Sequence, residues 1–298
     1  MPICIYSNTQ VRVWASDSMA LIPAGPFVMG NCMDASEGYS SELPVHTVMV
    51  SAFYMDKYEV TSQLWFEVRN WALANGYTFG AGSGKGVTHP IQTVSWYDCV
   101  KWCNARSEKE GLTPCYYTNA AQTLVYRGGS ANLSNEWVKW TANGYRLPSE
   151  AEWEKAARGG AVGMRLPWSD ANTITNSRAN YYGNTGYAYD LGPNGYNPAF
   201  TNEPMPYTSP VGYFAPNGYG LYDLAGNVWE WCWDWYGASW YSNGSATQSD
   251  TCGPSSGSDR VVRGGNWDGT TYNCRVAIRY FSYPVITYSY FGFRCVRR

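Results

Sequence analysis

Charge is scarce in this chain: Asp, Glu, Lys and Arg make up 15% of its 298 residues, where a soluble domain of ordinary composition carries about 25%. The formal net charge is −2, so there is no basic face to meet phosphates, and nucleic acid is excluded as a partner. Histidine is scarcer still. With only His46 and His89, a three-histidine metal centre cannot be built, and each is read as a packed or exposed structural residue. No apolar run reaches the ~18 residues of a membrane span, and Met1 to Ala20 lacks a basic start followed by a hydrophobic stretch. Neither a span nor an export signal is therefore expected in the chain as it stands. The nine cysteines, at positions 4, 32, 99, 103, 115, 232, 252, 274 and 295, include no CxxC, which sets aside a zinc ribbon. Their odd number leaves at least one outside any pairing within the chain.

Rings fill the place of charge: aromatics reach 17%, with 15 Trp and 26 Tyr, and 45% hydrophobic content is enough for a core. Three helices are marked. After Thr61 the apolar residues Leu64, Val68 and Trp71 recur at helical spacing, with Asn75-Gly76 as the stop. Ser95 precedes Trp96, Cys99, Val100 and Cys103 at i, i+3, i+4 and i+7, with Asp98 as its capping partner. Ser149 to Glu152 forms a capping box ahead of Trp153, Ala156 and Ala157, and Gly159-Gly160 ends that helix. Short β runs are expected at 51–54, 260–263 and 291–296, separated by long stretches rich in Gly and Pro, with no βαβ alternation. The class is α+β, loop-rich with few helices, and no linker divides the chain, so one domain over 1–298 is expected.

Several words in order resemble one family. They include Leu21-Ile22-Pro23-Ala24-Gly25, Phe53 to Thr61, Val94-Ser95-Trp96, and Arg146-Leu147-Pro148-Ser149-Glu150-Ala151-Glu152-Trp153-Glu154. Further on come Asn217 to Trp231, Arg263-Gly264-Gly265 and Gly292-Phe293-Arg294. From about residue 19 to the C-terminus the chain is similar to the formylglycine-generating-enzyme (sulfatase-modifying factor) domain family, which implies a C-type lectin-like fold. Fold alone does not assign function. The family's oxidase activity uses a copper-binding pair of cysteines five residues apart after the Gly-Gly pair. Here the second position is Cys274 and the first is Gly269, so no copper is expected and the chain is expected not to be an enzyme.

Residues 266–290 read NWDGTTYNCRVAIRYFSYPVITYSY, with five Tyr and no Lys, Glu, Gln or Met. Framed by Arg-Gly-Gly and Gly-Phe-Arg, this run resembles the variable region of diversity-generating-retroelement proteins, in which adenine-directed mutagenesis of Asn-type codons cannot yield Lys, Glu, Gln, Met or Trp. The residues between the apparent constant positions (Trp267, Cys274, Arg275, Ala277, Arg279 and Pro284) obey that restriction. Tyr supplies rigid amphipathic contact area, and Ser, Thr, Asn and Gly adapt hydrogen bonds, as in a paratope. The expected binding face comprises Asp268, Gly269, Thr270, Thr271, Tyr272, Asn273, Val276, Ile278, Tyr280, Phe281, Tyr283, Val285, Ile286, Thr287, Tyr288, Ser289 and Tyr290, about half of them exposed. Arg275, Arg279 and Arg294 are read as framework, with an interface role as the rival. The resemblance implies a diversified ligand-binding surface for a protein or glycan on another cell surface, and a cell-surface or extracellular place for the chain.

The family resemblance also points to a calcium loop at Asp223, Gly226, Val228 and Glu230, two carboxylates and two backbone carbonyls, hard oxygens of the kind calcium takes. Its rival is a turn whose Glu230 pairs with an arginine. Two functional alternatives stay open: a copper oxidoreductase acting on protein cysteine through Cys274 with Cys295 or Cys232, and a calcium-dependent glycan-binding lectin-type domain.

Overall fold

A computed structural model describes residues 18–33 and 36–298; Cys4 and most of the N-terminal stretch read above lie outside them. β1 (Met19–Ile22) and β4 (Phe53–Asp56) pair antiparallel, and β2 (Gly25–Met29) and β3 (His46–Val50) form a two-stranded ribbon. Strand β4 starts two residues later than the run at 51–54 suggested. Ser51 gives its amide (2.7 Å) and hydroxyl (2.8 Å) to the Asp250 carboxylate instead of to a ladder.

The three helices follow their caps. In α1 (Ser62–Ala74) the Thr61 hydroxyl accepts the Leu64 amide, and Asn75 closes the last turn. α2 (Trp96–Lys109) and α3 (Glu150–Ala157) both carry reciprocal capping boxes, Ser95 with Asp98 and Ser149 with Glu152; each cap is worth ~1 kcal/mol. α2 is buried nearly all round and packs on α1, with Trp65 and Trp102 stacked at 5.7 Å. No helix of the described residues is long and apolar enough to cross a membrane.

The second half is organised by β5 (Trp229–Trp235), β6 (Arg260–Arg263), β7 (Tyr280–Ser282), β8 (Phe291–Gly292) and β9 (Val296–Arg297). Four of them form a sheet in the order β7-β6-β5-β8, with β8 parallel to β5, while β9 pairs with β4. The run at 291–296 is thus two short strands in different sheets. In β5 the period of two sends Trp229, Trp231 and Trp233 into the core that holds α1 and α2, and Cys232 into the core that holds α3. Trp96, Trp153, Trp229 and Trp231 are all buried, as the family words implied.

Charged residues are also packed inside. Arg294 clasps Glu230 (2.7 Å from both Nε and Nη2), Arg275 clasps Glu42 (2.7 and 2.8 Å), and Arg279 clasps Glu150 (2.8 Å twice). Removing one partner of such a pair strands a charge. Here they tie segments more than 60 residues apart in sequence, and they settle the reading of Arg275, Arg279 and Arg294 in favour of framework.

Candidate ligand-binding face

The segment 266–290 leaves the sheet at β6, passes through a 3-10 turn at Thr271–Cys274, and returns along β7, the edge strand. Gly265 makes the entry possible. Its φ is +81°, and a Cβ there would stand 2.8 Å from the Asn273 carbonyl oxygen, so the hairpin-like return of 273 over 265 needs glycine.

Burial divides the segment sharply. Trp267, Cys274, Arg275, Ala277, Arg279 and Pro284, the apparent constant positions, are all buried. Asp268, Tyr280, Phe281, Tyr283, Val285, Thr287 and Tyr288 are exposed, and Thr270, Tyr272, Asn273, Ile286, Ser289 and Tyr290 are half-buried. Four residues placed on the face by the sequence do not belong there. Val276 packs in the α3 core and Ile278 in the α2 core. Thr271 is buried because its hydroxyl donates to Asp190 at 2.8 Å, and Gly269 is covered, with its carbonyl accepting the Tyr182 amide. The restriction in residue types carries no information on burial, which at each of these four positions is set by tertiary contacts, so it could not separate them.

The exposed rings are seated, not loose. Tyr280 lies flat on Trp229 (centroids 5.2 Å, 12°) and Phe281 on Tyr236 (4.3 Å, 26°). Each shows one face to solvent and one to a framework ring, and this is how two consecutive strand residues both remain accessible. Tyr288 and Tyr290 adjoin at 5.2 Å. Burial, with Tyr288, Tyr280 and Asp268 nearby, pushes the Tyr290 phenol up.

The backbone of 283–290 is held by bonds that ignore side chains. The Pro284 carbonyl accepts the Trp96 amide (3.0 Å), Tyr288 the Thr93 amide (3.1 Å) and Tyr290 the Trp229 amide (2.8 Å). Ser289 accepts the Trp267 indole N–H at 3.2 Å. Main-chain carbonyls are the same for any residue, so side chains here can change while the loop stays fixed.

Sequence reasoning missed the shoulder of the patch. Tyr196 donates to Asp268 at 2.9 Å, which raises its own phenol to about 12, and it packs edge-on against Tyr182, itself 37% exposed. The run of tyrosines at 181, 182, 187, 189 and 196 was the available signal.

The calcium set was tested on its donors. Both Glu230 oxygens are taken, by Arg294 and by the Trp153 indole at 2.8 Å. Asp223 accepts the Gly212 amide at 2.6 Å through Oδ2, while Oδ1 is buried without a partner. Burial pushes the Asp223 carboxyl up to about 6, and no group of three or more His, Cys, Asp or Glu among the described residues is arranged to hold a metal ion. Glu230 is thus engaged as in the rival arginine-clasped turn, while Asp223 Oδ1 is the carboxylate oxygen of the set left open. The thiols considered for copper also stand apart: Cys274, Cys232 and Cys295 lie in three different hydrophobic clusters, and Cys295 instead faces Cys103 at 3.6 Å. Burial pushes the Cys274 thiol far above its usual range.

With that geometry in view, relatives can be placed. The formylglycine-generating enzyme of Thermomonospora curvata is 34% identical, covering 93% of this chain and 92% of its own length. That of Streptomyces coelicolor is 32% identical over 92% and 87%. Among solved structures, Treponema denticola variable protein 1 superposes with a TM-score of 0.69 at 32% identity, covering 94% of both chains. The expectation that the chain is not an enzyme is corrected by the first two. Relatives named as enzymes share nearly its whole length, and Gly269 removes one thiol of the expected pair, which bears on chemistry that needs the pair and not on catalysis at large. The sulfatase-modifying factor enzyme 1-like domain matches residues 7–298, and by that match and these relatives the chain belongs to this family, with its C-type lectin-like α+β fold.

Proposed function

We propose that this chain binds a protein ligand through an exchangeable face made of Tyr280, Phe281, Tyr283, Val285, Thr287 and Tyr288, flanked by Asp268 and Tyr290, in the manner of a diversity-generating-retroelement variable protein. One observation carries the reading: the exposed side chains of 280–290 sit on a backbone tethered through its own carbonyls and on buried arginine clamps. Such a loop can accept new side chains without refolding. Four exposed aromatic rings beside Thr, Ser and Asp give the rigid anchors and adaptable polar groups of a paratope. Rings that are already stacked lose little rotamer freedom on binding. The likeness to Treponema denticola variable protein 1 over 94% of the chain supports it.

The test is genomic. The terminal coding segment from many isolates, with its neighbouring DNA, should show substitutions concentrated at 268 and 280–290, and a near-copy with adenines at those codons beside a reverse transcriptase. Invariance of 268–290 while other loops vary refutes the proposal. A second reading rests on the 34% identity to a formylglycine-generating enzyme: oxidation of a peptide cysteine. Incubation with copper and a sulfatase-type cysteine peptide, followed by mass spectrometry for the aldehyde product, decides it.

A further inference from the structure

Away from the aromatic face, a cleft of about 370 Å³ opens between β2 and the turn that ends α3. Phe27, Val28, Val162 and Tyr219 form apolar walls, Lys155 and Arg158 supply the polar lining, and no residue of 266–290 contributes. Its size falls at the lower end for small-molecule sites.

Packing does not account for the two cations. Arg158 is 4% exposed. It donates Nε (3.1 Å) and Nη2 (2.6 Å) to Glu154 and Nη2 to the Gly30 carbonyl (2.7 Å), yet its Nη1 is buried with no acceptor. A buried donor on a charged group left unmade is costly, and such a group calls for an explanation. Lys155 is 5% exposed and gives its ammonium to the Gly25 and Val50 carbonyls at 2.7 and 3.4 Å. Among the described residues no carboxylate lies within salt-bridge reach of it.

The charge around the floor is unbalanced. Glu154 serves Arg158 through Oε1 and Arg263 through Oε2, and Glu150 serves both Arg263 and Arg279. Three guanidiniums thus share two carboxylates, and Asp250, the carboxylate whose charge acts on Lys155, is beyond salt-bridge reach of it and held by Arg298 at 3.0 Å. Asp234 stands near Glu150, but burial and Glu150 push its carboxyl up toward the neutral form.

We propose that this cleft binds an organic anion with an apolar body, a carboxylate or sulfonate head meeting Arg158 Nη1 and Lys155 Nζ while a hydrocarbon or aromatic body packs on Phe27, Val28, Val162 and Tyr219. The anion supplies the missing acceptor and the missing negative charge together, and a charged acceptor for a guanidinium is the stronger kind of hydrogen bond.

The probes are 1-anilinonaphthalene-8-sulfonate and its neutral relative N-phenyl-1-naphthylamine, each titrated by fluorescence into the whole protein, with decanoate as competitor. Val162 is 80% exposed, so Val162→Trp and Val162→Glu change the rim without touching the core. The sulfonate is expected to bind one to one, at least about tenfold tighter than the neutral probe, and decanoate to displace it. Val162→Trp should abolish binding, and Val162→Glu should weaken the sulfonate alone. Equal affinity for the two probes, or sulfonate binding unchanged in Val162→Trp, overturns the proposal.

Discussion

Replacing Arg275 by Met tests the framework against the face in one comparison. Arg275 and Glu42 are 1% and 0% exposed and joined by two bonds of 2.7 and 2.8 Å. Removing one partner of a buried pair strands the other charge, a loss of about 3–5 kcal/mol. The lost bond from Nε to the Tyr272 carbonyl and the cation over the Tyr272 ring at 4.2 Å act in the same direction. In the double variant Arg275→Met with Glu42→Leu the stranded charge is gone. What remains missing is the acceptor of the Tyr39 amide at 3.0 Å and the donor and cation that Arg275 gave Tyr272, so the double should cost about 2 kcal/mol, less than the single variant. Tyr283→Ser with Val285→Ser, at positions 59% and 60% exposed, should fall within about 0.5 kcal/mol per site. Urea unfolding followed by circular dichroism reads all three, with midpoints compared at constant m. A loss under about 1 kcal/mol for Arg275→Met, or an equal loss for the surface pair, refutes the division into clamp and face.

Other outcomes follow from the same geometry. Tyr280→Ser should cost about 0.5–1.5 kcal/mol more than Tyr283→Ser because it removes the stack on Trp229, measured in the same urea series. Gly265→Ala should cost more than Gly76→Ala. Both have φ +81°, but only at Gly265 does the new Cβ meet a backbone oxygen, and thermal unfolding ranks them. Burial, then Lys85, holds the His89 imidazole below 6.5; the unfolded chain therefore takes up its proton first, and stability falls as pH drops below about 6.5. Relative to His89→Gln, the wild type should lose stability between pH 7.5 and 5, and a rise over that interval contradicts the assignment. A thiol reagent on the native protein should reach Cys32 and Cys252, which are partly exposed, and spare Cys99, Cys103, Cys115, Cys232, Cys274 and Cys295 until unfolding.

The helices were legible because everything that makes them is local: Thr61, Ser95 and Ser149 cap within three residues, and Asn75 and Gly159 stop them. The strands were not. β5 puts Glu230 and Asp234 on an inward row, and charges ordinarily mark a solvent face. Arg294, 64 residues on, with the Trp153 indole and the Glu150 amide make that row acceptable. The run at 291–296 splits because Gly292 pairs with Glu230 in one sheet and Val296 with Met55 in another. At the site, composition showed the tyrosines, and the apparent constant positions are all buried, though not they alone. Val276 and Ile278 were misplaced because their neighbours Arg275 and Arg279 pull the chain inward there, a tertiary effect with no local sign. An arginine partner for Glu230 was weighed as the rival to calcium, but which arginine, Arg294, shows only in space.

The central claim is that a fixed frame carries an exchangeable face. Simultaneous randomisation of Tyr280, Phe281, Tyr283, Val285, Thr287 and Tyr288 in a displayed library, sorted for protease resistance and then for binding to an unrelated protein, tests it most directly. The account predicts that most members stay folded and that new binders emerge with contacts confined to those positions. A library that is mostly unfolded, or folded members that never yield a binder, contradicts it.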